Sequence, residues 1–406
     1  MGTIAIIACC DTKQAEVDFV RKHIIDAGHG VVVIDISTSS GFVSRADVTR
    51  EEVIASAGYS WQELDGQGRE VLFPAMAKGA EATLTSLASA GRIDGVIGMG
   101  GLQNTTISTQ GMRALPIGFP KLIVSTVVSG NRTFDRIVGT RDVTMMPSIT
   151  DLAGINLVSE AILANAAGAI AGMVEHGVRG ISRPANLVVG ATLMGATNDG
   201  VVGAVDRLEA AGQPTMCFHS TGVGGAVMEE LIASGMIGAT MDLTLHEIVY
   251  EYFGGGFGAG TKDRLSAGAK AGIPMLVTPG GIDFICQWKN ELFPDINDRL
   301  MIWHNAQLAH VKLKVEESRA IAKLIVERLN TATGPVRVLF PTKGLRSFAD
   351  VGQPLYDPAV DEAILEELRN GLRTDIPVTL VQASLVSPEF SKVAADTMLE
   401  MIRNAA

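Results

Sequence analysis

Residues 94–130 read DGVIGMGGLQNTTISTQGMRALPIGFPKLIVSTVVSG. A short apolar run ends in a glycine-rich turn at 98–101, and a second apolar run at 121–124 ends in serine and threonine. The segment between them has helical spacing, which predicts two strands of a parallel sheet joined by a crossover helix. Doubly wound sheets bind ligands at the carboxyl ends of such strands, where glycine and a helix N-terminus can receive an anion.

This stretch therefore predicts a site for a phosphate-bearing ligand. Backbone N–H groups and hydroxyls of the two loops would make the contacts. The expected contact residues are Gly100, Gly101, Asn104, Thr105, Ser125, Thr126, Ser129 and Gly130.

Two earlier strand ends predict further groups for the same edge. An apolar run at 3–8 leads into Asp11, Thr12 and Lys13, and a helical pattern follows at 14–27. A second run at 31–36 contains Asp35 near its end. Asp11 can bind a ligand or cap the helix, and Asp35 can accept from ribose hydroxyls, hold a metal-bound water or act as another cap.

Composition excludes several classes of protein. The chain has 406 residues, 47% of them hydrophobic, and a formal net charge of −11, which argues against a general nucleic-acid surface. We recognise no signal peptide and no apolar run long enough to span a membrane, and the four cysteines lack metal-site spacing. We expect a cytoplasmic protein with reduced thiols and no membrane partner.

Strands and helices alternate along the whole chain, which predicts an α/β protein with two doubly wound, Rossmann-like parallel-sheet domains. Glycine and proline interrupt the pattern at 176–186, so we place an N-terminal domain at 1–180 and a C-terminal domain at 186–406. Segment 41–69 lacks periodicity and predicts an insertion or partner arm. Segment 308–330 predicts one long helix, and the small-residue helix at 151–173 packs in the core or against a second subunit.

The C-terminal half contains a second glycine turn, FHSTGVGG at 218–225. It predicts another anion-binding loop, formed by Thr221, Gly222, Gly224 and Gly225. Acid–base candidates on the same predicted edge are His219, Glu247 and His304, although a single histidine at a strand end is more often structural. Neither a zinc motif nor G-x-S-x-G is present.

Several stretches taken together resemble a known family, the ATP-binding family of bacterial and plant proteins typified by the tomato mosaic virus resistance protein. The matching stretches are DTK at 11–13, GVIGMGG at 95–101, LPIGFPKLIVSTVVSG at 115–130, VGTRDV at 138–143, NAAGAIAGM at 165–173, HSTGVGG at 219–225 and HNAQ at 304–307. The resemblance implies two α/β domains, ATP bound in the N-terminal domain, and homodimers or higher homo-oligomers.

The resemblance also implies site residues. The residues it carries over are Asp11, Thr12, Lys13, Gly100, Gly101, Thr105, Ser125, Thr126, Ser129, Gly130, Thr140 and Asp142. Mg²⁺ would be held by Asp11 or Asp142. The family usually continues the first glycine turn as GGSGGT, whereas this chain has Gln103 and Asn104 in place of two glycines.

Three functions remain open on the sequence. The first is a nucleotide-binding protein that takes ATP or another phosphorylated or anionic small molecule and serves a small-molecule catabolic pathway. The second is a hydrolase or carbon–carbon lyase that acts on a sugar acid or keto acid in the cleft between the domains. The third is a protein-interaction module.

Overall fold

The structure is a computed structural model that describes residues 1–128, 135–178, 181 and 184–405. The chain divides into two compact units, Met1–Ser182 and Arg183–Ala406, and each contains its own parallel sheet.

The first unit alternates strands and helices around one sheet. Its elements are β1 (Thr3–Ala8), α1 (Cys10–Asp26), β2 (Gly30–Asp35), α2 (Arg50–Ser56), α3 (Trp61–Leu64), α4 (Arg69–Ser89), β3 (Gly95–Gly100), α5 (Leu102–Ala114), β4 (Lys121–Ser125), α6 (Asp135–Val138), β5 (Thr144–Pro147) and α7 (Leu157–His176).

The five strands of the first sheet are all parallel and lie in the order β2-β1-β3-β4-β5. Strands β1 and β3 are buried along almost their whole length because helices cover both faces of the sheet. This arrangement confirms the doubly wound parallel sheet predicted for the N-terminal half.

The segment predicted as an insertion or partner arm instead packs on the first sheet. Val53 and Ile54 of α2 are fully buried in the same apolar cluster as residues of α4. Arg50 stacks on Trp61 with its guanidinium carbon 4.0 Å from the ring centroid. Short helices with little periodicity carry too weak a pattern to be recognised from sequence.

Helix α7 is the one helix among the described residues whose length and composition would allow it to cross a membrane. A core helix passes the same test, and α7 buries Leu163, Ile170 and Val174 in the apolar cluster that also contains residues of α1. The absence of a membrane partner stays a prediction.

The second unit is also built on a parallel sheet. Its elements are β6 (Val189–Leu193), α8 (Asn198–Ala210), β7 (Thr215–His219), α9 (Val223–Ala233), β8 (Ala239–Asp242), α10 (His246–Tyr252), α11 (Ser266–Ala271), β9 (Met275–Val277), β10 (Phe284–Trp288), β11 (Met301–Trp303), β12 (Leu308–Lys312), α12 (Val315–Leu329), β13 (Val336–Pro341), α13 (Pro358–Gly371), β14 (Val378–Val381) and α14 (Pro388–Ala405).

The six strands of the second parallel sheet lie in the order β14-β13-β9-β8-β6-β7, which confirms the second doubly wound domain. A separate antiparallel sheet, β10-β12-β11, was not predicted. The prediction of one helix over 308–330 was wrong, because Leu308–Lys312 pairs with β10 and β11, and only Val315–Leu329 is helical.

Candidate functional site

The first sheet reverses its winding direction between β1 and β3, since β2 lies on one side of β1 and the later strands follow on the other. Ligands bind open α/β sheets at the carboxyl ends of the strands beside such a switch point. A cavity of about 560 Å³, the switch-point cavity, lies there. Its lining residues are Cys9, Asp11, Thr12, Lys13, Thr38, Ser39, Gln67, Arg69, Leu72, Phe73, Gly101, Leu102, Gln103 and Asn104.

Helix α5 begins at the switch-point cavity. Gly101 is its N-cap, and Leu102, Gln103 and Asn104 form its first turn. No side chain caps this end, and the first turn contains no acidic residue. The first N–H groups of a helix have no intrahelical acceptor and carry partial positive charge. The helix end therefore offers backbone donors to an anion in the cavity.

Two cationic side chains line the same cavity. Lys13 departs from helical geometry (φ −126°, ψ 21°) and separates the first turn of α1 from the rest of the helix. Arg69 is the first residue of α4. Among the described residues that line the cavity, Asp11 alone is acidic, so the side chains contribute a net positive charge. This charge favours an anionic ligand.

Asn104 and Gln103 hold the surrounding loops together. Asn104 Oδ1 accepts a hydrogen bond from the N–H of Cys9 at 2.9 Å, and Gln103 Nε2 donates to Thr38 Oγ1 at 2.7 Å. Gly100 has a φ of 143°, and a Cβ there would lie 2.3 Å from Asn104 Nδ2. The glycine therefore makes room for the asparagine side chain.

The predicted hydroxyl contacts lie one strand further along the sheet. The hydroxyl oxygens of Thr105 and Ser125 are 2.6 Å apart, and both residues are fully buried. Their pairing joins α5 to the end of β4, and neither they nor Thr126 line the switch-point cavity. Ser129 and Gly130 lie outside the described residues.

Asp35 and Asp11 have different roles in the geometry. Asp35 is fully buried and caps the turn that opens α1: its Oδ1 accepts the N–H groups of Cys10 at 3.1 Å and Ser37 at 2.8 Å. Asp11 Oδ1 and Asp35 Oδ2 are both buried without a hydrogen-bond partner among the described residues, but of the two residues Asp11 is the one that lines the switch-point cavity. Of these two carboxylates, Asp11 is the one placed to meet a ligand.

Thr140 and Asp142 lie at the opposite edge of the first sheet. Asp142 pairs with Lys121, the first residue of β4, at 2.8 Å and accepts the N–H of Gly118 at 2.8 Å. Burial raises the pKa of Asp142, but the hydrogen bonds from Lys121 and Gly118 outweigh burial and lower it below its usual value. Asp142 therefore does not share a metal ion with Asp11, which follows the carboxyl end of β1.

The described residues contain no group of three or more histidine, cysteine, aspartate or glutamate side chains arranged to hold a metal ion. A cation at the switch-point cavity would need oxygen atoms from the ligand as well as from Asp11.

The second unit has a buried ionic cluster at the carboxyl edge of its parallel sheet. Arg264 is fully buried and pairs with Glu229 at 2.8 Å, Asp242 at 2.8 Å and Glu247 at 2.6 Å. Glu247 also accepts the N–H of Gly225 at 2.9 Å. Burial raises the pKa values of Glu229 and Glu247, while Arg264 acts in the opposite direction. Glu247 thus holds the side chain of Arg264 and the N–H of Gly225 together.

The second glycine turn is shaped by this ionic cluster. A Cβ at Gly225 would lie 2.1 Å from Glu247 Oε2 and 2.3 Å from Arg264 Nε. A Cβ at Gly224 would lie 2.1 Å from the carbonyl oxygen of His219, and Gly222 has a φ of 89°. The glycines thus allow close packing and a left-handed turn. One backbone donor of the predicted anion loop, the N–H of Gly225, already binds a carboxylate of the protein.

The structure does not bring the three predicted acid–base residues together by any hydrogen bond or ring contact among the described residues. His219 is exposed at the end of β7, and Thr221 follows it in the same turn. Glu247 is buried beside Arg264. His304 is exposed and stacks on His310, with ring centroids 4.9 Å apart.

Several residues of the switch-point cavity were not predicted from the sequence. Gln67, Arg69, Leu72 and Phe73 belong to α4 or the turn before it. No motif marks them, and they reach the cavity only because α4 packs beside α5. Thr38 and Ser39 could have been suspected, since they follow the second strand.

Both units match the domains of one protein family. The N-terminal domain of the Uncharacterised protein family (UPF0261) matches residues 2–179, and the C-terminal domain of the same family matches residues 186–402. The chain is similar to a UPF0261 protein of Clostridium tetani, with 33% identity over 402 residues covering 98% of each chain. It is also similar to a UPF0261 protein of Rhizobium meliloti, with 36% identity covering 91% of this chain and 90% of the other.

The chain is also similar to a plant protein. The ToMV resistance protein Tm-1 of Solanum lycopersicum is 31% identical over 422 residues, which cover 97% of this chain and 55% of the tomato protein. The chain has a distant likeness to one solved structure, a Methanocaldococcus jannaschii UDP-GlcNAc 2-epimerase, with 8% identity and a TM-score of 0.22 over 91% of this chain and all (100%) of the other. A likeness this low carries no argument about function.

Proposed function

The chain belongs to the UPF0261 family, and we propose that this member binds a nucleotide, with ATP as the first candidate, in the switch-point cavity of its first unit. The bound nucleotide or related phosphorylated molecule would serve a small-molecule catabolic pathway. The single observation that carries the proposal is the uncapped N-terminus of α5, which opens into a cavity lined by two cations.

The phosphate groups would lie at the N-terminus of α5. The N–H groups of Leu102 and Gln103 would donate to phosphate oxygens, and Lys13 and Arg69 would balance their charge. A charge-assisted hydrogen bond contributes about 1.5–3 kcal/mol where it is shielded from water, and less at an exposed side chain such as Arg69. Several such contacts together account for micromolar affinity.

The remainder of the cavity suits a base and sugar. Leu72 and Phe73 supply an apolar wall, and Thr38 and Ser39 supply hydroxyl groups that could bind a ribose. The volume, about 560 Å³, falls within the range of ordinary small-molecule sites. A nucleotide combines an aromatic base with a polyanion, and the lining has an apolar part for the base and a cationic part for the phosphates.

A magnesium ion fits the same arrangement through Asp11. Its Oδ1 is a buried carboxylate oxygen without a hydrogen-bond partner at the edge of the cavity. Mg²⁺ typically binds one or two carboxylates, substrate phosphates and several waters, so Asp11 and the nucleotide would share it. The ion would supply charge neutralisation between the phosphates and the protein.

Isothermal titration calorimetry with ATP and Mg²⁺ tests the proposal. We expect Lys13→Ala and Arg69→Ala each to weaken binding about 10-fold, because each removes one charge-assisted contact. Lys22→Ala is the matched control, since Lys22 is an exposed cation on α1 whose ammonium group pairs with Asp26 at 2.5 Å, away from the cavity lining. Absence of binding at about 1 mM nucleotide, or equal affinity in all variants, would contradict the proposal.

A further inference from the structure

A second buried cluster in the second unit contains more positive than negative charge. Asp283, Lys312 and Arg346 are between 0% and 2% exposed. Arg346 Nε and Lys312 Nζ both donate to the carboxylate of Asp283 at 2.9 Å. The nearby carboxyl of Asp361 does not restore the balance fully, because burial raises its pKa to about 7. Two cations therefore share one fully buried anion, and the half-buried carboxyl group of Asp350 is a further neighbour of Arg346.

Four nitrogen atoms around this cluster are buried without a hydrogen-bond partner among the described residues, as is Oδ1 of the neighbouring Asp361. They are Nη1 and Nη2 of Arg346, Nε2 of His246 and Nδ1 of His310. Arg346 and His246 are fully buried and His310 is 5% exposed. An unsatisfied buried polar group costs about 1–3 kcal/mol, more when charged, so native proteins usually satisfy such groups with water or a ligand.

The three side chains that carry these atoms surround one aromatic ring. The centroid of Phe284 lies 3.8 Å from Cζ of Arg346, 4.3 Å from the His246 ring and 4.9 Å from the His310 ring. We name Phe284, Asp283, Lys312, Arg346, His246 and His310 the Phe284 cluster. Exposed His304 and Phe348 contact His310 at 4.9 and 5.6 Å between ring centroids, so they form the solvent side of the cluster.

The hydrogen bond of His246 determines what its free nitrogen can do. Nδ1 lies 2.7 Å from the carbonyl oxygen of Gly281, which can only accept, so Nδ1 carries the proton. Burial lowers the pKa of His246 to about 4, and the ring is neutral at pH 7. Nε2 therefore presents a lone pair to a hydroxyl donor. Arg346, in contrast, presents a planar pair of donors that suits a carboxylate.

We propose that the Phe284 cluster binds a small hydroxycarboxylate. The carboxylate accepts from Nη1 and Nη2 of Arg346 and balances the excess charge, while a hydroxyl group of the same molecule donates to Nε2 of His246. Phe284 packs against both Arg346 and His246 and supplies an apolar contact for the ligand. This site lies in the second unit and does not depend on nucleotide binding by the first.

Calorimetry with two matched pairs of acids tests the proposal: glycolate against acetate, and lactate against propionate, with inorganic phosphate as a further probe. Each pair differs by one hydroxyl group. We expect the hydroxy acid of a pair to bind about 10-fold tighter than its partner, and phosphate to bind more weakly than either hydroxy acid.

Variants separate the two contacts. Arg346→Lys keeps a cation beside Asp283 but removes the paired donors, and should weaken hydroxy-acid binding at least about 10-fold. His246→Phe keeps a ring against Phe284 and should bind both members of a pair equally well. Arg299→Lys is the control, because Arg299 stacks on Phe293 at 4.3 Å and its donors are already occupied by Asp295 and Glu317.

Three results would overturn the proposal: no binding of any acid at about 10 mM, tighter binding of phosphate than of the hydroxy acids, or unchanged binding by Arg346→Lys. Should Arg346→Lys not fold, His246→Phe decides the matter, since a hydroxyl preference that survives in that variant also overturns it.

Discussion

The buried guanidinium of Arg264 explains why glycine is required at a distant turn. Three carboxylates surround this side chain, and Gly225 lies against one of them, Glu247. Any side chain at position 225 would enter the space of the ion pair. Breaking a buried ion pair is strongly destabilising because an uncompensated charge remains in the interior.

Gly225→Ala should therefore lower the free energy of unfolding by about 3 kcal/mol or more. The matched control is Gly195→Ala, because a Cβ at Gly195 would meet no atom within 4 Å. That change should stay within about 0.5 kcal/mol. Urea denaturation of both variants measures the difference, and similar losses in the two proteins would show that packing around Arg264 does not select the glycine.

The burial of His246 makes the free energy of unfolding depend on pH, and the direction follows from its lowered pKa. Burial lowers its pKa from 6.5 in the unfolded chain to about 4 in the folded protein. The unfolded state therefore binds more protons between these values, so stability is fully present above about pH 6.5 and is lost as the pH falls towards 4. The loss attributable to this ring is roughly 3 kcal/mol.

The difference in unfolding free energy between wild type and His246→Phe isolates this contribution, because other titrating groups occur in both proteins. We expect the wild type to lose stability relative to the variant on acidification. A difference that stays constant from about pH 7 to about pH 4.5 would show that His246 titrates normally.

Some residues of the candidate site could be predicted from the sequence, and others could not. Asp11 and Lys13 were predicted at the first strand end, and both line the switch-point cavity. The Gly222–Gly225 turn has the same local pattern as an anion loop, yet Gly225 packs against Glu247 and Arg264, and Gly224 packs against the backbone of His219. The pattern of a glycine turn is local, whereas the side chains that require it come from other elements.

At the scale of elements, the N-terminus of α5 has opposite requirements for stability and for binding. Leu102 lies in its first turn, is 64% exposed and lines the switch-point cavity. An acidic residue there would interact favourably with the helix dipole. The same charge would occupy or repel the place where a phosphate is expected.

Leu102→Glu should therefore leave stability unchanged or raise it by about 0.3–1 kcal/mol, while it weakens ATP binding about 10-fold. Leu102→Gln, of similar size but uncharged, should have little effect on either quantity. Thermal denaturation and calorimetry on the same samples measure both. Undiminished ATP affinity in Leu102→Glu would place the phosphates elsewhere.

Elements with strong local periodicity were predicted, and elements defined by distant partners were not. The spacing at 14–27 predicted most of α1, and the apolar runs predicted β1, β3 and β4. Strand β12 was not predicted because its sequence, LAHVK, is followed almost directly by the amphipathic helix α12. The apolar pattern of the sequence does not separate the two elements. Its strand character depends on pairing with β10 and β11, which periodicity does not report.

At the scale of the whole molecule, both the fold class and the family were predicted from the sequence and are confirmed. Alternating strands and helices constrain topology strongly, since parallel connections are almost always right-handed. The order of strands, and hence the position of the switch point, could not be derived from the same pattern. Homodimer formation stays a prediction.

Two glycine turns of similar sequence thus differ in what surrounds them. The turn after β3 opens into the switch-point cavity, and in the turn after β7 the N–H of Gly225 binds Glu247 of the protein's own ionic cluster. We therefore propose that an anionic nucleotide binds at the turn after β3 and not at the turn after β7.

Hydrogen–deuterium exchange with and without saturating ATP and Mg²⁺ tests this claim most directly. We expect slower exchange at the amides of residues 12–14 and 102–104, where the nucleotide would bind, with no change at residues 221–225. Protection confined to residues 221–225, or no protection in the first unit at a concentration where calorimetry shows binding, would contradict it.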